Sequence, residues 1–272
     1  MAIIVKVPVE NSLDALGCRK ASQEIVANLD EIYTSESGRQ SVKANLHFVD
    51  FGKDLAGKQE DRVSEVIYKK SLDLLSSGEK CVFVGGDHSI SYSTVKSFLD
   101  VCSVEDRDPC LIVFDAHPDC KNFEHGGSDM SNNVSWLRKL IDEGFPSEKV
   151  IVVGLRNSSL EENSFIEENK ILTYPMKNIL EFQEICDIVM ELANKNQIYV
   201  SIDIDVVDGI FVPGTARPET AGFTSRQLLY FIQRLNLLKN IRAFDICEIN
   251  PDKDVNNMTV KLGSKLLGEI IS

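Results

Sequence analysis

Short, almost uninterrupted apolar runs alternate with amphipathic segments along this sequence, and this alternation limits the fold more than any other feature. Four of the runs contain few polar residues: CVFVGG (81–86), CLIVFDA (110–116), VIVVGL (150–155) and IYVSIDID (198–205). Strands of a parallel sheet have this composition when helices cover both faces of the sheet. The sequence therefore predicts an α/β fold: a single doubly wound domain over residues 1–272, with a mainly parallel sheet and helices on both faces.

Four further apolar runs complete the predicted sheet: IIVKV (3–7), LHFVDF (46–51), ILTY (171–174) and IRAFDICEI (241–249). Helical patterns are predicted near 62–78, 89–102, 134–144, 179–195, 225–240 and 256–271. The connections contain no internal repeat and no low-complexity linker, which favours one domain. In doubly wound sheets ligands bind beyond the carboxyl ends of the strands, so polar residues at those ends are the first candidates for function.

Composition narrows the class of partner. The net charge is −13 and the isoelectric point is near 4.8, which disfavours nucleic acid and anionic membranes as partners. No stretch approaches the roughly 20 apolar residues that span a bilayer, and no signal peptide is evident. The 7 cysteines are scattered without CxxC spacing, as reduced core thiols would be. We expect a soluble cytoplasmic protein.

Carboxylates and histidines are concentrated at the ends of four predicted strands. They are His88, Asp115, His117, Asp119, Asp203, Asp205 and Glu248. Residues that alternate along an extended segment point to the same side, so Asp203 and Asp205 should converge, as should the three polar residues of DAHPD (115–119). Converging buried carboxylates repel one another unless cations neutralise them.

The residue types favour a metal site. A single D-x-D is more often a turn or a helix cap, but three such clusters at strand ends are difficult to explain by capping alone. Two histidines and four aspartates could hold two divalent ions, and ligands of nitrogen and oxygen without cysteine favour Mn²⁺, Fe²⁺, Co²⁺, Ni²⁺ or Zn²⁺ over Ca²⁺. Two such ions about 3.5–4 Å apart lower the pKa of a shared water towards neutrality.

Five motifs resemble the signatures of the ureohydrolases (arginases and agmatinases) in their order and spacing. They are GGDHS (85–89), DAHPD (115–119), SIDIDVVD (201–208), PGT (213–215) and EINP (248–251). The resemblance covers nearly the whole chain and is closest to a bacterial agmatinase. It implies an arginase-like fold and a centre of two Mn²⁺ ions, with other divalent transition metals as alternatives. The implied ligands are His88, Asp115, His117, Asp119, Asp203 and Asp205. Asp208 is out of phase with this set and is interpreted as a residue that supports the ligands or as a turn residue.

The resemblance also implies catalytic roles. Asp119 would accept a hydrogen bond from the attacking water, and Glu248 would pair with the guanidinium of the substrate, whose planar fork a carboxylate matches. His125, in the segment FEHGG, is similar to an agmatinase histidine that protonates the departing amine. The alternative for His125 is a plain surface-loop residue, because the loop that links it to DAHPD is short.

Two segments depart from the family pattern. In DGIFVPGTARPET (208–220), Arg217 occupies a position where a small polar residue is usual. An Arg217 that faces the cavity would repel a cationic substrate tail and attract a carboxylate, whereas an outward one would be a surface or intersubunit residue. After DAHPD the arginine-recognition loop of arginases is missing, which leaves Asn122 as the candidate substrate contact there.

The sequence thus predicts an Mn-dependent hydrolase of linear amidine C–N bonds, with agmatine as the preferred substrate, giving putrescine and urea. Arginase, formimidoylglutamase and guanidino-acid hydrolase activities remain open. The alternative outside enzymes is a metal-stabilised sensor of a guanidino ligand. The resemblance also implies a homo-oligomer, a trimer or a hexamer.

Overall fold

Eight parallel strands form one sheet in the computed structural model, which describes residues 2–32, 34–37, 46–58, 60–122 and 133–272. The strands are β1 Ala2–Val7, β2 His47–Asp50, β3 Lys80–Gly85, β4 Pro109–Phe114, β5 Val150–Val153, β6 Leu172–Tyr174, β7 Gln197–Asp203 and β8 Ile241–Cys247. Their order is β2-β1-β3-β8-β7-β4-β5-β6, and every neighbouring pair is parallel. The predicted α/β class with helices on both faces is confirmed.

Helices cover the two faces of the sheet. They are α1 Ala21–Asn28, α2 Gly52–Leu55, α3 Glu60–Leu75, α4 Ile90–Val104, α5 Trp136–Asp142, α6 Leu160–Glu168, α7 Phe182–Ala193, α8 Ser225–Leu235 and α9 Met258–Ile271. One core contains Val82 and Val84 of β3 with residues of α1, α7, α8 and α9. The other contains Cys81 and Phe83 of β3 with residues of α3, α4, α5 and α6. Alternate residues of one strand therefore enter opposite cores, which is why these strands read as continuous apolar runs.

Four details differ from the sequence prediction. Helices α1, α2 and α6 were not predicted, because each buries at most three residues. The start of α6 is fixed instead by a capping box between Ser159 and Glu162. The expected strand through Asp205 was wrong: β7 ends at Asp203, whose side chain accepts a hydrogen bond from the Asp205 backbone N–H at 2.7 Å and caps a single 3₁₀ turn.

The cysteines behave as predicted. All seven are buried and unpaired, and burial raises the pKa of the Cys81 thiol to about 12, so they act as small apolar residues of the core. Among the residues described, no helix combines the length and the apolar character needed to cross a membrane.

Candidate metal centre

The candidate site lies where the four central strands of the sheet end. His88 lies in the turn between β3 and α4, and Glu248 directly follows β8. Asp203 ends β7, and Asp115 is the first residue after β4. Because β3, β8, β7 and β4 are neighbours in that order, residues that are far apart in sequence meet at one edge of the sheet.

One histidine is surrounded by carboxylates. The Nδ1 atom of His88 lies 3.2 Å from Asp115 Oδ2, 3.0 Å from Asp119 Oδ2 and 3.3 Å from Asp203 Oδ2. All four side chains are buried. Despite these short distances, His88 Nδ1 and Asp115 Oδ2 form no hydrogen bond with favourable geometry among the described residues.

The opposite nitrogen of the same ring explains the orientation. His88 Nε2 lies 2.9 Å from Ser201 Oγ, and that hydroxyl donates its proton to Asp245 Oδ1 at 2.8 Å. Ser201 must therefore accept from the Nε2–H of His88, so that the lone pair of Nδ1 points into the group of carboxylates. This tautomer is the one that a metal-binding histidine adopts.

A second group shares one carboxylate with the first. His117 Nδ1 lies 2.9 Å from Asp205 Oδ2 and 3.6 Å from Asp115 Oδ1. Asp115 thus presents one oxygen to each histidine. The ligand atoms of His88, Asp115 and Asp203 lie within 4.8 Å of one another, and the same holds for Asp115, His117 and Asp205.

The electrostatics of the two groups require positive charge. Burial and the neighbouring Asp205 and Asp115 hold the pKa of Asp203 well above its ordinary value. Burial, with repulsion from Asp119 and Asp205, raises the pKa of Asp115 to about 6. Carboxylates crowded in this way, with an unpaired imidazole nitrogen among them, fit two divalent cations that share Asp115.

Two acidic residues of the site have strained backbones. Asp119 has a φ of 51° and Glu248 a φ of 63°, both in the left-handed region that non-glycine residues rarely adopt. Glu248 Oε1 accepts from the backbone N–H of His88 at 2.8 Å and from Asn133 Nδ2 at 3.3 Å. Burial and the nearby Asp87 raise the pKa of Glu248 to about 8. Each strained residue turns its carboxylate into the site.

A cavity of about 320 Å³ opens beside the candidate metal ligands, and Lys121, Arg217 and Glu219 line it. Arg217 also lines the smaller space between Asp203, Asp205 and Glu248. Its guanidinium donates to Asp14 Oδ2 at 2.6 Å. The sequence left the orientation of Arg217 open, and in the structure its side chain borders the cavity.

The remaining predicted residues are Asn122, His125 and Asp208. Asn122 is exposed, its backbone N–H donates to Glu161 Oε1 at 3.0 Å, and it is absent from the lining of both spaces. His125 lies outside the described residues. Asp208 is a turn residue, as interpreted, since its carboxylate accepts from the backbone N–H groups of Ile210 and Gly222.

The family model of the Arginase family matches residues 1–272. The chain belongs to the arginase family. It is 29% identical over 224 residues to a formimidoylglutamase of Halalkalibacterium halodurans, covering 79% of this chain and 66% of that protein. It is 27% identical over 227 residues to an arginase of Staphylococcus aureus, covering 76% and 74%. Alignments to these and other curated relatives span 58% to 74% of the relatives' own length.

Solved structures share the fold of this arginase-family chain. The formimidoylglutamase structure from Bacillus subtilis superimposes with a TM-score of 0.85 at 25% identity, covering 99% of this chain and 85% of that one. A putative agmatinase from Clostridium difficile superimposes with a TM-score of 0.85 at 23% identity, covering 99% and 95%.

Sequence reasoning missed four residues at the site of this arginase-family chain. Trp136 Nε1 donates to Asp119 Oδ2 at 2.9 Å, and Asn133 contacts the carboxylate of Glu248. Glu219 faces His117 across 3.2 Å. Thr215 is 1% exposed and lines the space between the aspartates, and its hydroxyl forms no hydrogen bond within the described part of the chain. The only available signals were the single tryptophan of the chain and the unassigned threonine of the PGT motif.

Proposed function

We propose that this chain is a divalent-metal hydrolase of linear amidines. The observation that supports the proposal most directly is the pair of ligand groups that share Asp115. His88, Asp115 and Asp203 would hold one ion, and Asp115, His117 and Asp205 the other, with Asp119 beside the first. Two such ions, Mn²⁺ by family resemblance, would polarise the substrate and lower the pKa of a water between them.

The acidic side chains of the site would orient the reactants. Asp119 Oδ2, the oxygen that lies 3.0 Å from His88 Nδ1, also accepts a hydrogen bond from the indole of Trp136 at 2.9 Å, which leaves this strained residue little freedom to turn away. Glu248 is buried and forms no ion pair within the described residues, so the cationic guanidinium of a substrate would supply its missing partner. His125 remains our candidate for the proton donor to the leaving amine.

Agmatine is the substrate that the sequence favours, and it stays the first candidate. A second candidate, a guanidino or formimino acid, is supported by the position of Arg217. Arg217, which is also paired with Asp14 at 2.6 Å, and Lys121 line the cavity together with Glu162 and Glu219. The two cations would attract the carboxylate of an acidic substrate, whereas the two glutamates leave room for the ammonium of agmatine. The relatives are compatible with both classes, since they include a formimidoylglutamase and a putative agmatinase. Arginine is disfavoured because the sequence after DAHPD lacks the arginine-recognition loop of arginases. Asn122, the candidate substrate contact in that segment, does not line the cavity.

The decisive experiment measures urea and formamide release from agmatine, arginine, guanidinobutyrate, guanidinopropionate and formimidoylglutamate. Metal-stripped protein should be inactive and should recover with Mn²⁺. The double variant Asp203→Ala plus Asp205→Ala should lose both turnover and bound metal, and unchanged values would contradict the proposal. Tight binding of Mn²⁺ and of a guanidino compound with no product from any substrate would instead support the sensor alternative.

Variants of the cavity wall separate the two substrate candidates. If the substrate is acidic, Arg217→Ala should lower kcat/KM for it by roughly 10- to 100-fold, the loss of one charge-assisted contact, and should not lower kcat/KM for agmatine. If agmatine is the substrate, the same variant should leave or raise its kcat/KM. Arg226→Ala is the matched control, because it removes an exposed arginine that pairs with Glu36 instead of lining the cavity.

Two further features belong to the proposal. We expect residues 1–272 to fold as one domain and the protein to be cytoplasmic. We also expect a homo-oligomer, a trimer or a hexamer, which light scattering coupled to size-exclusion chromatography measures directly.

A further inference from the structure

The two candidate metal-binding histidines are supported in different ways. His88 directs its Nε2–H at Ser201, inside a buried network that ends on Asp245. His117 directs its Nε2 at Glu219 Oε1, 3.2 Å away. The side chain of Glu219 is 25% exposed and lies on the wall of the cavity. The ring orientation of His88 is therefore set by a buried network, and that of His117 is set by a carboxylate at the mouth of the site.

Glu219 is itself held in place. Asn157 Nδ2 donates to Glu219 Oε1, the oxygen that faces His117, at 2.6 Å. The backbone carbonyl of Glu219 accepts from Gly209 N at 2.8 Å and from Arg156 Nη2 at 3.3 Å. Both the side chain and the backbone of this residue are fixed, so the carboxylate is positioned before any ligand arrives.

We propose that Glu219 is a positioning residue for His117. Its carboxylate accepts the Nε2–H of the ring, and this fixes the tautomer in which the Nδ1 lone pair faces Asp115 and Asp205. A histidine that binds a metal is a better ligand when its other nitrogen donates to a carboxylate, and loss of such a partner typically weakens metal binding about 10- to 100-fold. The inference rests on the proposed function, because it assumes that the second ligand group holds an ion.

The location of Glu219 gives this contact a second consequence. Glu219 follows Arg217 by two residues, and both side chains line the same cavity. The loop that presents a cation to the substrate therefore also supports one metal ligand. An alternative role for Glu219 is a direct contact with a cationic substrate group, and that role would change KM without changing metal affinity.

The test is a calorimetric titration of metal-stripped protein with Mn²⁺. The wild type should bind two ions, and Glu219→Ala should bind one of them roughly 10- to 100-fold more weakly, with the other unchanged. Glu219→Gln, which keeps an acceptor but loses the charge, should lie between the two. Asn157→Ala should weaken the same ion by a smaller factor. The control is Glu167→Gln, which removes a charge from an exposed position of α6 and should change neither ion.

Activity measured against Mn²⁺ concentration completes the test. The Glu219→Ala variant should need more Mn²⁺ for half-maximal activity and should approach the wild-type kcat at saturation. Two unchanged Mn²⁺ affinities together with a raised KM would overturn the inference and make Glu219 a substrate contact. If Glu219→Ala does not fold, the Mn²⁺ affinities of Asn157→Ala and Glu219→Gln provide the same test. A wild type that binds no Mn²⁺ would refute the proposed function itself, which is a different outcome.

Discussion

The substitution Asp115→Asn should stabilise the metal-free protein. The pKa of Asp115 is about 6 in the folded chain, compared with an ordinary value of 3.8. At pH 7 the ionised carboxylate therefore costs the fold about 3 kcal/mol, since a pKa difference of one corresponds to about 1.4 kcal/mol. The amide removes this cost. Its oxygen can still accept the His117 backbone N–H, which lies at 2.6 Å.

The sign of the pH dependence follows from linkage. A carboxyl whose pKa is raised by folding binds more protons in the folded state between pH 3.8 and about 6. The contribution of Asp115 to the stability of the wild type should therefore fall across this window as the pH rises. Below it the carboxyl is protonated in both states, so Asp115→Asn should lose its advantage near pH 4 and show it in full at pH 7.

Urea denaturation in EDTA, followed by circular dichroism at pH 4 and pH 7, measures both effects. With saturating Mn²⁺ at pH 7 the order should reverse, because the wild type gains binding energy that the variant has lost. Asp245→Asn is the matched control. That buried carboxylate accepts hydrogen bonds from Ser91, Tyr199 and Ser201, so its loss should destabilise the fold by about 1–3 kcal/mol. An Asp115→Asn variant no more stable than wild type at pH 7 in EDTA would refute this reasoning.

Three further predictions follow from the site. Mn²⁺ at 100 times its Kd should stabilise the wild type by about 2.7 kcal/mol per ion, seen as a higher Tm in scanning fluorimetry; the Asp203→Ala plus Asp205→Ala variant should show no shift, and an equal shift would count against the ligands. Thr215 lines the space between the aspartates, and we expect its buried hydroxyl, which has no hydrogen bond among the described residues, to contact the substrate. Thr215→Val should therefore keep or raise the free energy of unfolding while kcat/KM falls about tenfold; a less stable variant with normal kcat/KM would contradict this contact. Trp136→Phe removes the indole donor to Asp119 and should lower kcat by about tenfold at constant Mn²⁺ affinity; an unchanged kcat would show that the strained aspartate needs no support.

The sequence predicted the features that depend on strands. The strand ends at His88, Asp115 and Asp203 could be located because a buried parallel strand is a recognisable apolar run, and such strands direct their carboxyl ends to one edge. The turn after Asp203 could not be seen in the same way. The side chain of Asp203 caps this turn, and the sequence IDV (204–206) is equally compatible with a strand and with a 3₁₀ turn.

Contacts between loops were beyond sequence reasoning. His117 and Glu219 are 102 residues apart, and Asn133 and Glu248 are 115 apart. These pairs meet because loops from different strand ends fold over the same edge, and no local pattern encodes the path of a loop. The orientation of Arg217 belongs to the same class, since its partner Asp14 is 203 residues away.

The position of β8 has a consequence for the synthesis of this protein. It is the last of these eight strands to leave the ribosome, yet it lies between β3 and β7 in the middle of the sheet. A nascent chain that ends before residue 241 would have its strands in two separate groups, β2-β1-β3 and β7-β4-β5-β6. His88 then belongs to the first group, and the aspartates that surround it belong to the second. Only the insertion of β8 joins the two, so the proposed metal site should form in the same step in which the eight-stranded sheet is completed.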